Sequence, residues 1–190
     1  MKYIIGKLLN FVIQKSKVLI SYYLSCYYHS NMKKVGKCVK FNGISKISGL
    51  ANIEIENNVH IGDNAFISGV GGLYIGDNTH ISRNLVLYTD NHNYTGDLLP
   101  YDEKLIYKPV KIEKNVWIGM NVIILPGTYI EEGAIIGAGA VVSGRIPKYS
   151  IYGASLGKII KLRDKNHYEK LNEDKKYGGI NGRKIDERCM

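Results

Sequence analysis

The sequence predicts an all-β solenoid of very short parallel strands, preceded by a basic helical segment and followed by a mixed-charge tail. Three observations lead there: an apolar residue every sixth position, Gly and Asn at the unit ends, and a phase that survives many consecutive units. From residue 112 the chain reads IEKNVW, IGMNVI, ILPGTY, IEEGAI, IGAGAV, so Ile112, Ile118, Ile124, Ile130, Ile136 and Val142 recur without a slip. Small or β-branched residues stand four places after most of them, at Val116, Val122, Thr128, Ala134 and Ala140.

A period of six fits neither a lone helix, with apolar residues at three or four, nor a lone strand that alternates throughout. It fits a short strand followed by a turn, in which each unit sends one branched side chain to a common axis. Each coil then buries its apolar side only against its neighbours. Upstream the register returns as Ile55, Ile61, Ile67 and Leu73, then as Ile75, Ile81 and Leu87. Phe41, Ile47 and Ile53 form an earlier, weaker set, and two-residue slips fall at 53 to 55 and at 73 to 75. Gly62-Asp63-Asn64, Gly76-Asp77-Asn78, Gly127 and Gly133 supply the turns.

At 190 residues the chain has room for one domain with a real core. Its net charge of +9 is concentrated at one end. No Asp or Glu precedes Glu54, whereas Lys2, Lys7, Lys15, Lys17, Lys33, Lys34, Lys37, Lys40 and Lys46 all do. The apolar runs between these lysines, Ile4 to Ile13 and Val18 to Tyr28, fall short of the roughly 20 residues a membrane-spanning helix needs. Lys7 interrupts the apolar core a signal peptide would require. An amphipathic helical segment that packs on the domain or makes peripheral contact with a membrane is expected. Cys26, Cys38 and Cys189 are odd in number and lack C-x-x-C spacing, which points away from a disulfide framework or zinc and towards a reducing, cytoplasmic setting. The expected organisation is residues 1–40 as the helical segment, 41–152 as the solenoid with an inserted loop at 88–111, and 153–190 as a basic segment and tail.

The [Ile/Val]-Gly-x-x-[small]-x unit resembles the hexapeptide repeat of the left-handed β-helix acyltransferases. Asn115-Val116-Trp117-Ile118-Gly119, Ile123-Ile124-Leu125-Pro126-Gly127 and Ile136-Gly137-Ala138-Gly139-Ala140-Val141-Val142 resemble their sugar O-acetyltransferase branch, which includes the galactoside and maltose acetyltransferases. The resemblance runs over residues 41–161. It implies a left-handed parallel β-helix with three hexapeptides per coil, a homotrimer, and acetyl-CoA as co-substrate.

Between Leu87 and Ile112 the repeat fails, and a polar stretch from Tyr88 to Asp97 takes its place. A long loop leaving a rigid scaffold is a common place for chemistry. Moving an acetyl group from a thioester to a hydroxyl needs a base near neutral pH, and histidine meets that need. His92 is the candidate catalytic residue. Its position after Thr89 and Asn84 resembles the catalytic-histidine loop of the galactoside and maltose enzymes, although Asn91 stands where those have Gly or Thr. Asn84 and Asp90 are candidates for acceptor binding, and either Asp90 or a backbone carbonyl would orient the imidazole. His60 and His80, twenty residues apart, are expected to stack outward on adjacent coils. They have no carboxylate or cysteine at ligand spacing, so no metal is expected.

By the same resemblance, Trp117, Met120, Ala138 and Ser143 match the lining of the coenzyme A groove. Lys158 and Lys161 match the basic segment that meets its adenosine phosphates. Met120 replaces a serine of the galactoside enzymes, and Gly153-Ala154-Ser155-Leu156-Gly157 replaces their Gly-x-Pro-Ala. Trp117 equally suits packing at a trimer seam. The function implied is transfer of acetyl from acetyl-CoA to a sugar hydroxyl of a cell-surface polysaccharide or its precursor, at the inner face of the membrane. Acetylation of an amino sugar or a small acceptor is the second enzymatic reading. A non-catalytic scaffold, or a metal enzyme on the same fold, is the third. No recognisable nucleic-acid module accompanies the basic segment.

Overall fold

The computed structural model describes residues 2–153, 164–174 and 176. The chain divides into two compact units, one formed by residues 1–89 and 108–154, the other by 90–107 and 155–190.

The first unit is a three-sided parallel β-helix carrying a long helix, α1 (Lys2–Asn31). Its first sheet stacks Lys34–Val35, Ile53–Ile55, Leu73–Ile75, Val110–Ile112, Tyr129–Ile130 and Arg145–Ile146. The second sheet stacks Lys40–Phe41, His60–Ile61, His80–Ile81, Trp117–Ile118, Ile135–Ile136 and Ile151–Tyr152. The third stacks Lys46–Ser48, Phe66–Ser68, Val86–Tyr88, Ile123–Ile124 and Val141–Val142. Every pairing within these sheets is parallel and matches repeat positions, with Ile61 beside Ile81 and Ile118 beside Ile136.

The inward residues are those the six-residue period selects. Ile55, Ile61, Ile75, Ile112, Ile118, Ile124 and Ile130 are fully buried. The smaller residues four places on, Val116, Val122, Ala134 and Ala140, are buried beside them. Three threonines bring hydroxyls inside, and each hydroxyl meets a carbonyl: Thr79 donates to Glu113 O, Thr89 to Ser68 O and Thr128 to Leu125 O. Among the described residues no buried hydroxyl of this interior is orphaned.

Two corner positions are built on Asn with positive φ. Asn58, Asn78 and Asn115 form one column and Asn64, Asn84 and Asn121 the other, all with φ between 55° and 62°. The short amide makes this left-handed conformation tolerable. It also extends from coil to coil: Asn58 Nδ2 donates to Asn78 Oδ1 at 2.9 Å, and Asn78 Nδ2 to Asn115 Oδ1 at 3.1 Å. The second column repeats the pattern at 3.1 and 2.8 Å.

The third kind of corner, from the third sheet to the first, varies in length. Ile55 pairs with Ile75, twenty residues on, but Ile112 pairs with Ile130, only eighteen on. The extra two residues lie at this corner, where the first coil forms a short 3-10 turn at Leu50–Asn52. The slips at 53 to 55 and 73 to 75 are this corner. In the third coil it opens into the whole excursion 90–107. Lys108 N donates to Thr89 O at 2.8 Å and closes the neck, and Thr89 is fully buried there.

Helix α1 lies on the lower coils through its C-terminal half. Tyr28 is buried, packs its ring tilted against Phe41 with centroids 5.3 Å apart, and donates its hydroxyl to Ser45 O at 2.6 Å. Ser21 donates to Gly43 O at 2.8 Å.

Truncating one axial residue leaves a cavity that neighbouring coils hold open. Ile118→Ala is expected to cost roughly 3 kcal/mol in urea unfolding. At the Asn columns, Asn78→Gly keeps the positive φ and loses only the amide bonds. Asn78→Ala loses both, so it is expected to be the more destabilising, by roughly 1 kcal/mol.

Candidate active site

His92 sits in the second unit, at the end of the strand Asp90–His92, which pairs antiparallel with Leu105–Tyr107. The polar run 88–97 therefore supplies one strand of a folded hairpin. Beyond His92 the segment is knitted together by Asn93 and Asp102. Asn93 N donates to Lys104 O and Asp102 N to Asn93 O, at 3.1 and 3.2 Å. The Asp102 carboxylate, nearly buried, accepts from Asn93 Nδ2 and from Lys104 N at 3.0 Å each. Asn93 Oδ1 takes both the amide and the hydroxyl of Thr95. A Cβ at Gly96 would collide with the Asp102 carboxylate, which explains glycine at that point.

The imidazole of His92 is half-buried and lies flat on Tyr101, with ring centroids 3.8 Å apart and planes inclined by 13°. Its Nδ1 is buried and has no hydrogen-bond partner among the described residues. Neither Asp90 nor a backbone carbonyl holds that nitrogen; the ring's plane is set by stacking. With Nδ1 buried, Nε2 is the nitrogen able to meet a substrate hydroxyl. Tyr101 gives no signal in the sequence, because it lies nine residues from His92 and meets it only once the hairpin folds.

His167, unremarkable in the sequence, has a place in this unit. It lies on α2 (Lys165–Glu173), whose first turn is capped by the Asp164 side chain accepting from His167 N. Its Nε2 donates to Gly96 O at 2.9 Å, which fixes the tautomer.

In the first unit, the residues matched to the coenzyme A groove divide between corners. Met120 and Ala138 are stacked at the corner between the second and third sheets, where Gly139 N donates to Met120 O at 2.9 Å. The coils approach so closely there that a Cβ on Gly119 would meet Ala138 N at 2.6 Å. Trp117, 57% exposed, projects from the second sheet just before that corner, and Ile123 and Val141 are exposed just after it. Ser143 is exposed at the variable corner, one coil from Leu125. Asn84, proposed from the sequence to bind acceptor, is the middle member of an Asn column, with its amide engaged on both sides. Lys158 and Lys161 lie outside the described residues.

Trp117 continues an outward row with His80 and His60, each directly beside the next in the sheet. The two imidazoles stack at 4.3 Å with planes 12° apart. His60 is held below the ordinary imidazole range, first by burial, then by the charges of His80 and Lys40. No group of three metal-ligating side chains converges among the described residues.

A three-sided parallel β-helix with a histidine-bearing excursion at one corner defines a hexapeptide-repeat protein. The model for "bacterial transferase hexapeptide (six repeats)" matches residues 109–144, and that for the hexapeptide repeat of succinyl-transferase matches 52–89. A protein of Escherichia coli K12 provisionally named as a lipopolysaccharide biosynthesis O-acetyl transferase, WbbJ, is 32% identical over 133 residues. That match covers 66% of this chain and 67% of the relative. The chain belongs to the hexapeptide-repeat transferase family. The structure of a maltose O-acetyltransferase from Clostridium difficile 630 is 32% identical, covers 64% of each chain and superposes with a TM-score of 0.58. A hexapeptide-repeat acetyltransferase of Vibrio cholerae O1 biovar eltor, in complex with acetyl coenzyme A, shares the fold. It has a TM-score of 0.64 at 24% identity, covering 72% of this chain and 74% of its own. The chain spans 26% to 67% of the length of the curated relatives compared.

The lowered His60 value carries a pH consequence. The unfolded chain takes up this proton near pH 6.5 and the folded chain only at lower pH. Stability from neutral His60 is therefore present above about pH 6.5 and lost as the pH falls towards the folded value. The melting temperature is expected to drop between about pH 7.5 and pH 5, and less steeply in His60→Gln, as read by thermal melts of both proteins.

Proposed function

We propose that this chain is an acetyl-CoA-dependent O-acetyltransferase that acts on a sugar hydroxyl, with His92 as general base in direct transfer. The observation that carries the reading is His92 itself: a half-buried imidazole clamped flat on Tyr101, in an ordered excursion from a transferase-type solenoid. An imidazole held this way loses little freedom when it meets a substrate, which favours proton transfer.

In the transfer, Nε2 of His92 takes the proton of the acceptor hydroxyl as its oxygen attacks the thioester carbonyl. The new C–O bond forms, the C–S bond breaks, and the imidazolium returns its proton to the departing thiolate. The exposed apolar surface of Trp117, Met120 and Ala138 suits the pantetheine arm, and the coils' close approach there keeps backbone amides near it. The acetyl coenzyme A held by the Vibrio protein, and the names of the maltose and lipopolysaccharide relatives, support the co-substrate and a carbohydrate acceptor. The acceptor belongs to a cell-surface polysaccharide or its precursor, and the enzyme works as a homotrimer on the cytoplasmic side. Exposed Trp117 and Ile151 on the second sheet, and Ile123 and Val141 on the third, are apolar surface that such an assembly would cover.

Thiol release from acetyl-CoA, measured against a panel of glycans, tests this. His92→Ala is expected to lower kcat by roughly 10²- to 10⁴-fold with the melting temperature unchanged. A protein that neither binds coenzyme A nor releases thiol with any glycan overturns the reading. Tyr101→Phe keeps the stacked ring and is expected to stay near wild-type activity. Tyr101→Ala releases the imidazole and is expected to lose about tenfold or more, mainly in kcat.

A further inference from the structure

Helix α1 has its polarity turned inside out. Its polar and small residues recur at three- and four-residue spacing, as Lys7, Asn10, Gln14, Lys17, Ser21 and Ser25, and Tyr28 continues the line. From Gln14 onward this stripe faces the solenoid. Ser21 and Tyr28 donate to Gly43 O and Ser45 O. Gln14, Lys17 and Ser21 border a cavity of about 610 Å³ shared with Asp63, Asn64 and Arg83. The opposite face, with Ile5, Leu8, Val12, Leu19 and Tyr23, points away from the protein. Leu8 is 63% exposed and Leu19 57%. A helix that docks on its own domain ordinarily turns such residues inward, so this face is made to be covered by something else.

We infer that α1 is a membrane-surface helix, lying in the plane of an anionic phospholipid leaflet with its outward apolar face among the acyl chains. Charge selects this occupant. The helix carries Lys2, Lys7, Lys15 and Lys17 and no acidic residue, and Lys37 and Lys40 follow it. Lys15 stands on the apolar side, its ammonium 5.6 Å from the centre of the Phe11 ring, and Lys7 lies 5.0 Å from that of Tyr3. Packing this face against the same face of a second copy would bring lysines together with no carboxylate on the helix to pair them. At a lipid surface the stems of Lys7 and Lys15 run along the apolar layer and their ammonium groups reach phosphate. Exposed Tyr3, Tyr22, Tyr23 and Tyr27 suit the headgroup level, where a ring has one apolar and one wet end. No described helix is long and apolar enough to cross a membrane, so the contact lies along the surface.

Flotation of the full chain with vesicles tests this without reference to activity. The protein is expected to float with equimolar phosphatidylcholine and phosphatidylglycerol, and about tenfold less with phosphatidylcholine alone or at about 0.5 M salt. The double substitution Leu8→Glu and Leu19→Glu is expected to abolish flotation while far-UV circular dichroism and the melting temperature hold, because both side chains are exposed on the outward face. Absence of the wild-type protein from the anionic vesicle fraction overturns the inference. So does a wild-type protein that stays soluble and whose light-scattering mass falls on the double substitution, since the face would then be covered by another copy. Unaltered flotation of the double variant also overturns it, by removing the apolar face from the contact.

Discussion

Everything in the first unit depends on one packing constraint: each short strand sends its repeat-position side chain to a shared axis, and the next coil must place its own directly above. Ile118 over Ile81 and Ile136 over Ile118 show the register this demands. Strands of two or three residues have almost no stability alone. Parallel pairing from coil to coil supplies their backbone partners, and the fully buried column of Ile supplies the hydrophobic gain. The Asn columns add amide bonds along the same direction, so turns and core are locked in one register.

That rigidity dictates where variation can occur. Two of the three corners keep their length through every complete coil; they are the corners whose Asn amides bond directly from one coil to the next. The corner from the third sheet to the first absorbs the differences: a 3-10 turn in the first coil, a full hairpin unit in the third, a tight turn at Ser143-Gly144 in the last. Thr89, buried at the neck, accepts from Gly71 N and donates to Ser68 O, so the excursion begins from a fixed point. The candidate base stands in a small fold of its own, which has no axial column and is held by the polar contacts of Asn93 and Asp102 beside buried Leu99 and Leu171.

The two kinds of surface on the chain have different physical origins. On the solenoid, outward rows such as His60, His80 and Trp117 follow from the same period that buries Ile61, Ile81 and Ile118. On α1, the outward apolar face follows from a polar stripe that finds its partners in the turns of the lower coils. Its exposure is a consequence of which face the coils can satisfy: carbonyls such as Gly43 O and Ser45 O need donors, and serine and tyrosine hydroxyls provide them.

By itself the sequence determined the repeat, the inward residues, the Asn and Gly turns and the break that holds His92. All of these depend on residues close along the chain or on a strict period, which a linear reading preserves. The resemblance of its motifs also led to the transferase family. Only the tertiary structure decided that the break is a folded hairpin and that Tyr101 rather than Asp90 fixes the His92 ring. It likewise engaged Asn84 in a turn column and turned the apolar side of α1 outward. Each of these rests on a contact between segments with no common period, so nothing in the local pattern could carry it.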